Sequence, residues 1–303
     1  MDYAAPLSVI GIGSNAVRML TARAVNGVLT DTKRYREDVR TFSGLTARGL
    51  SSEMMARVLM SVMRLRAAAI SDNAAITGVI ATSAARDAAN VGELIQLIRE
   101  GTGLETRALT GDEEARLGFA GVTAGHAGYS GMVDIGGGST ELAVGAAGDP
   151  SAQLSLQMGA ARLANTTANA EPDAVLSSLE SAITAARANL PNALPREWFG
   201  VGGTINALAR VNAGGAADVE GAALTLDEVE RLADKLRRMT LEQRGSTPGI
   251  PRSRAEIIVP GAWIALACMR SLGVGRITVT ERGNLDGWLC LRQALTPPAS
   301  RNP

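Results

Sequence analysis

Val133-Asp134-Ile135-Gly136-Gly137-Gly138-Ser139-Thr140-Glu141-Leu142-Ala143-Val144-Gly145 is the stretch on which the fold turns. Residues 132–135 read as a strand, the three glycines as a tight turn, and residues 140–145 as the returning strand. The pattern also stands near the start of the chain. There Val9-Ile10-Gly11-Ile12 runs into Gly13-Ser14-Asn15, and apolar residues resume over 17–24. Two copies, each opening one half of a 303-residue chain, indicate a duplicated domain. A cleft between two such halves is a favoured ligand site.

Working outward, residues 7–12 and 30–39 read as strands. Residues 51–71 carry apolar side chains at helical spacing, with Ser51 or Ser52 as cap and Glu53 in the first turn. A β-branched strand over 77–81 leads to Ser83, which caps a helix reaching about residue 100. After a strand over 106–109, Gly111-Asp112 opens a helix at Glu113. Glycines around 121–131 mark a boundary, giving domains over 1–125 and 126–303. In the second half, helices are expected over 172–188, 226–239 and 254–272, and strands over Glu197–Val201 and Arg276–Val279. Gly202-Gly203-Thr204 then reads as a third glycine turn. Strands alternating with helices make an α/β protein.

Composition removes several function classes. Thirty basic and thirty acidic residues leave no net charge, which argues against a general nucleic-acid binder. Lys33 and Lys235 are the only lysines, so the cations are almost all arginines, whose planar heads suit phosphate. Cys268 and Cys290 stand far apart in apolar runs, without metal-type spacing. The single histidine, His126, lies in a glycine-rich turn, which argues against histidine-rich metal sites and a serine–histidine triad. No apolar run is long enough to span a bilayer and no basic, apolar leader opens the chain, so a soluble cytoplasmic protein with no membrane partner is expected.

Glycine turns at strand ends let backbone N–H groups approach an anion. Gly13, Ser14 and Asn15, then Gly136, Gly137, Gly138 and Ser139, then Gly202 and Gly203 form three such turns, too regular for loop punctuation. Asp134 enters the second turn and Glu141 follows seven residues later. That pair suits magnesium, which takes few carboxylates and completes its shell with water and phosphate oxygens. Asp112-Glu113-Glu114 opens a helix, where acids also simply complement the dipole. Arg86 sits in the first turns of another helix, where a cation is unfavourable unless it meets an anion or a salt-bridge partner.

These segments together resemble the exopolyphosphatase / guanosine-pentaphosphate phosphohydrolase (Ppx/GppA) family, in its short two-domain form. The resemblance rests on IGIGSNAVRML (10–20), ATSAARDAAN (81–90), LTGDEEARLGFAGV (109–122), VDIGGGSTELAVG (133–145), GAARL (159–163), GVGGTINALA (200–209) and PGIPRSRAEIIVPGAWI (248–264). It implies two actin-like (ribonuclease H-like) domains around a central interdomain cleft, with the final helix packing back on the first domain. It also implies an exopolyphosphatase, releasing orthophosphate from inorganic polyphosphate with Mg2+, or with Mn2+ in its place. The short two-domain form favours short or medium chains, or a small nucleotide, as substrate. Glu114 matches the catalytic glutamate, Asp134 and Glu141 match the metal-associated acids, and Arg86 matches an arginine that faces the polyanion. Guanosine pentaphosphate is the alternative substrate. The family often dimerises, though no stripe in this sequence encodes a homodimer.

Two departures stand out. The family carries an aspartate where this chain has Gly11, which is also the repeat partner of Asp134. The usual Leu-Arg-Glu-Gly near the C-terminus is here Asn284-Leu285-Asp286-Gly287, so an arginine is lost. Their sharpest reading is altered metal use or a polyphosphate- or alarmone-binding sensor with weakened catalysis. Glu114, Asp134 and Glu141 favour an enzyme, and the match around Glu114 disfavours a sugar or acid kinase.

Overall fold

The computed structural model describes residues 5–25, 28–46, 48–166 and 170–294. The first half begins with a meander: β1 (Leu7–Ile12), β2 (Ala16–Val25) and β3 (Val28–Asp38). A small ribbon of β4 (Leu45–Thr46) and β5 (Gly49–Leu50) leads into α1 (Ser52–Ser71), whose cap is Ser51, accepting from Met54 N–H at 3.1 Å. Then come β6 (Ala75–Ala81), α2 (Ser83–Arg86), α3 (Val91–Thr102), β7 (Thr106–Ala108) and α4 (Gly111–Val122). The main sheet has the order β3-β2-β1-β6-β7, antiparallel across β3-β2-β1 and parallel from β1 onward.

The second half repeats this plan. β8 (Ser130–Ile135), β9 (Thr140–Ala146) and β10 (Asp149–Leu156) form the meander, followed by α5 (Ala160–Thr166) and α6 (Pro172–Ala186). β11 (Glu197–Val201), α7 (Gly202–Asn212), β12 (Ala223–Thr225), α8 (Leu226–Arg238), α9 (Leu241–Gly245), α10 (Ile258–Leu272), β13 (Arg276–Val279) and α11 (Asn284–Ala294) complete it. The sheet order is β10-β9-β8-β11-β13-β12. β8 pairs antiparallel with β9 and parallel with β11, as β1 does with β2 and β6. The duplication in the sequence is therefore a duplication of topology.

Burial follows from these layers. One face of the first sheet packs on α1 and α3 through Ile10, Ile12, Val58, Val62, Leu94 and Ile98. The opposite face, through Val9, Leu20 and Ile80, meets Leu117 of α4 and Leu285, Trp288 and Leu289 of α11. The other side of α4 supplies Phe119 and Val122 to Met132 and Ala143 of the second sheet. The last helix thus returns to the first sheet, with α4 between the two sheets. The contact is largely apolar, with Arg34 on Asp286 at 2.7 Å beside it, and it lies beneath the cleft.

Several elements depart from their sequence readings, and Ser83, expected as a cap, is instead the first residue of α2, after Thr82. The helix expected over 83–100 is broken after Arg86, because Asn90 uses its amide on distant backbone: Oδ1 accepts Leu50 N–H at 2.8 Å and Nδ2 donates to the Leu50 carbonyl at 2.9 Å. The helix expected from 254 starts at Ile258, after a 3-10 turn over Arg252–Arg254 that follows Pro251. Gly202-Gly203-Thr204 is not a turn between strands but the opening of α7.

Candidate active site

Three consecutive acids on α4 have three fates, set by the helix start. Thr110 caps the helix: its hydroxyl accepts Glu113 N–H at 3.1 Å, and the Glu113 carboxylate accepts Thr110 N–H at 2.8 Å. Glu113 also takes Arg107 at 2.6 Å, and Asp112 is exposed. Glu114, one position on, points inward and is only 8% exposed. Arg86 Nη1 donates to its Oε2 at 2.9 Å. Burial pushes the Glu114 carboxyl above its ordinary pKa, and the Arg86 charge opposes that shift.

The second meander supplies two more acids. Asp134 on β8 and Glu141 on β9 are direct register partners, so their side chains share one face of the hairpin. Glu141 is 2% exposed and accepts from Ser155 Oγ at 2.8 Å. Asp134 has no hydrogen-bond or ion-pair partner among the described residues. Burial pushes its carboxyl up to about 6, helped by the charge of Glu114 and opposed by Arg18. Burial, then Glu114 and Asp134, hold Glu141 well above its usual range. Two carboxylates forced together in a recess call for a cation or a proton.

The first meander carries a different pair at the same register. Gly11 on β1 stands opposite Arg18 on β2, where the second half has Asp134 opposite Glu141. The repeat therefore puts Arg18 on the cleft wall facing the acids. Arg254 joins it from behind Pro251. Neither guanidinium forms an ion pair or side-chain hydrogen bond with a described residue. Burial, with Arg36 and Arg18 nearby, lowers the Arg254 pKa to about 9. Cations gathered without direct ion-pair partners mark a place for an anion.

The start of α7 explains its glycines. Gly202 has φ +93°, and a Cβ there would lie 2.7 Å from Asp134 Oδ1 and 2.5 Å from the Ile135 carbonyl. A Cβ on Gly203 would overlap the Arg254 guanidinium. The two glycines therefore let the first turn of α7 lie between an acid and an arginine, with its free N–H groups at the cleft.

Together these residues enclose a cavity of about 60 Å³, lined by Gly13, Ser14, Asn15, Thr82, Ser83, Glu114, Asp134, Gly136, Gly137, Ser139, Glu141, Gly202, Gly203, Arg18, Arg36 and Arg254 among others. Asn15 Nδ2 and Ser83 Oγ are buried there without a hydrogen-bond partner. Two orphaned donors, three glycine-rich segments and three arginines suit a phosphate group. An outer chamber of about 250 Å³ shares Arg18, Arg36, Asp134, Gly202, Gly203 and Arg254 with it, and adds Arg34, Asn206, Arg210 and Arg282.

Of the residues singled out in the sequence, Arg86 and Gly138 stand behind the cavity wall. Arg86 is committed to Glu114, and the Gly138 carbonyl accepts from Arg162 Nε at 2.7 Å. Sequence reasoning passed over Arg18, Arg36, Arg254, Thr82 and Ser83. Arg18 had a signal, since register counting through the repeat places it opposite Gly11. Arg254 had none beyond its place in a matching segment.

The fold and this site define an actin-like phosphoanhydride hydrolase. The model of the Ppx/GppA phosphatase family matches residues 20–292, and the chain belongs to that family. Exopolyphosphatase 1 of Mycobacterium tuberculosis is 30% identical over 314 residues, covering 95% of this chain and 88% of that protein. Exopolyphosphatase 2 of the same species is 29% identical, over 93% of this chain and 96% of its own. Among solved structures, the Aquifex aeolicus Ppx/GppA family member superposes with a TM-score of 0.83 at 21% identity, covering 97% of this chain and 99% of its own. An exopolyphosphatase from Cytophaga hutchinsonii gives 0.84 at 22%, over 96% and 98%. At these identities the two structures speak for the fold.

No helix of the described residues is long and apolar enough to cross a membrane. Nor do any three described His, Cys, Asp or Glu side chains form a metal cage. The donor set at the Asp134–Glu141 pair is hard and carboxylate-only, which fits an ion that keeps most of its shell as water and phosphate.

Proposed function

We propose that the protein is an exopolyphosphatase that removes the terminal phosphate of inorganic polyphosphate. The observation that carries this reading is the run of arginines beyond the terminal-phosphate cavity. Arg18, Arg36 and Arg254 line both chambers and so lead out of that cavity, and Arg282 and Arg210, the latter paired with Glu281 at 2.8 Å, line the outer one. Among the described residues lining the outer chamber, the only aromatic ring is Tyr35, whose hydroxyl is spent on Asp72 at 2.6 Å. A linear polyanion needs such a track, whereas a base gains from a stacking surface.

In this reading the glycine turns and the first turn of α7 hold the terminal phosphoryl oxygens through N–H groups. Glu114 accepts a proton from the attacking water as the oxygen–phosphorus bond forms. The anhydride bond breaks, its electron pair leaving with the shortened chain, and orthophosphate is released. Asp134 and Glu141 would hold a Mg2+ ion, whose chemistry is to neutralise charge on the phosphate oxygens. Arg18 and Arg254 bind and orient the rest of the chain.

Guanosine pentaphosphate is the second reading, and one observation favours it. Asn206 Oδ1 is buried in the outer chamber wall without a partner, an acceptor that a base N–H could satisfy. Orthophosphate release with Mg2+, compared on short polyphosphate and guanosine pentaphosphate, separates the two. A higher kcat/KM on polyphosphate, abolished in Glu114→Gln, supports the first reading; a higher value on the nucleotide overturns it.

A further inference from the structure

A chain of contacts outside the cavity joins the two halves and ends on Glu114. Arg162 on α5 belongs to the second half. Its Nε donates to the Gly138 carbonyl at 2.7 Å, its Nη2 donates to Gln157 Oε1 at 2.9 Å, and its head lies 5.4 Å over the Phe42 ring. The same Nη2 reaches across to Asp87 Oδ2 at 2.5 Å. Asp87 follows α2 of the first half, and its other oxygen accepts from Arg86 Nε at 3.3 Å. Arg86 in turn holds Glu114 at 2.9 Å. One carboxylate therefore bridges a guanidinium fixed to the second glycine turn and a guanidinium fixed to Glu114.

We propose that Asp87 and Arg162 are positioning residues, whose ion pair forms when the halves close and thereby keeps Arg86 on Glu114. The proposal rests on the reading of Glu114 as the base. A half-exposed ion pair contributes little by itself. Here, however, each head is already tethered at its far side, so little side-chain freedom is lost when they meet. The switch lies in a second donor. Arg86 Nη2 is buried and has no partner. While Arg162 occupies Asp87 Oδ2, that oxygen is unavailable to Arg86. When the halves part, Asp87 is free to take the spare donor and turn Arg86 away from Glu114. Hydrolysis is then confined to the closed state, in which the glycine turns have met the phosphate.

The test compares Arg162→Gln, Asp87→Asn and the double variant for kcat, KM and thermal unfolding, with Glu114→Gln assayed alongside. Arg162→Gln frees Asp87 to compete, so kcat should fall by about tenfold to a hundredfold, the range for a misplaced catalytic group, with KM changed far less. Removing the competitor as well should recover part of that kcat, so the double variant should turn over faster than Arg162→Gln. Additive losses, a loss confined to KM, or an unaffected Arg162→Gln would each overturn the proposal. Full turnover in Glu114→Gln would instead overturn the base assignment, which separates the two failures.

Discussion

Gly11 and Leu285 share one space: a Cβ on Gly11 would lie 2.8 Å from Leu285 Cδ2. The two departures from the family pattern therefore meet at one place in the fold. Where the family has an aspartate on the first strand and an arginine before Glu-Gly, this chain has no side chain on β1 and a leucine at the start of α11. That leucine packs with Val9, Leu20 and Ile80. The contact at this place is apolar, and an apolar pair where a buried polar one could stand is often neutral for stability.

Gly11→Asp alone should consequently be a poor probe of the missing acid. It drives a carboxylate into Leu285, and overpacking of this kind costs about 1–3 kcal/mol. Gly11→Asp combined with Leu285→Arg should recover most of that loss, which urea unfolding of the two single variants and the double would read. Simple additivity would show that the positions are uncoupled.

Turnover should rise with pH as Glu114 loses its proton, at a pH above the ordinary carboxylate range because burial raises its pKa. Arg86 opposes that rise, so Arg86→Gln should move the acid limb of kcat to still higher pH while lowering its plateau. Glu114→Gln should lose about 10²–10⁴ in kcat, the usual contribution of a general base. A limb that moves to lower pH in Arg86→Gln would contradict the electrostatics described for the pair.

Much of the fold was legible because its signals are local. The two hairpins of the repeat are fixed by apolar strands and glycine turns within fifteen residues, and the Ser51 cap sits beside the helix it starts; the Thr110 cap is as local but passes unread, so that helix is opened at Glu113 rather than Gly111. The parts that were not legible depend on distant partners. Nothing near Asn90 says that its amide will bind Leu50 and break a helix. Nothing near Gly202 says that Asp134 and Arg254 will close on it from either side, which is why a helix start reads as a turn. At the site, the acids stood out because they interrupt apolar or helical patterns. Arg18 lay within a strand whose alternation absorbs an arginine without comment, and Arg254 became visible only when the chain folded it beside Arg18.

Asp134 should destabilise the metal-free protein at neutral pH. Its folded pKa of about 6 lies above the ordinary 3.8, so folding favours the protonated form. That stability is complete below pH 3.8 and is lost as pH rises through 6. At pH 7.5 without divalent ions, Asp134→Asn should therefore unfold at a higher temperature than the parent, at about 2–4 °C per kcal/mol for a protein of this size. Added Mg2+ should raise the unfolding temperature of the parent and leave the variant nearly unmoved. A variant that melts lower without metal, or gains equally from it, would remove Asp134 from the metal's reach.

Arg254 makes the sharpest statement about the substrate. It forms no ion pair among the described residues, lies against Gly203, and loses its proton at about 9 because burial and the neighbouring Arg36 and Arg18 disfavour its charge more than Asp38 favours it. In the proposed function a bound polyphosphate would supply the missing negative charge, so binding and protonation of Arg254 would support each other. In the parent protein, KM for polyphosphate should therefore climb as pH passes about 9, because the free enzyme must then take up a proton to bind. Arg254→Gln should raise KM by about tenfold, the loss of one charge-assisted contact, and should flatten that alkaline climb. It should also weaken the dependence of KM on salt, since one fewer cation meets the chain. Because the acids around Glu114 are untouched, kcat should change little. A variant that loses kcat while keeping both the KM and its alkaline climb would place Arg254 at the reacting phosphate rather than along the chain that follows it.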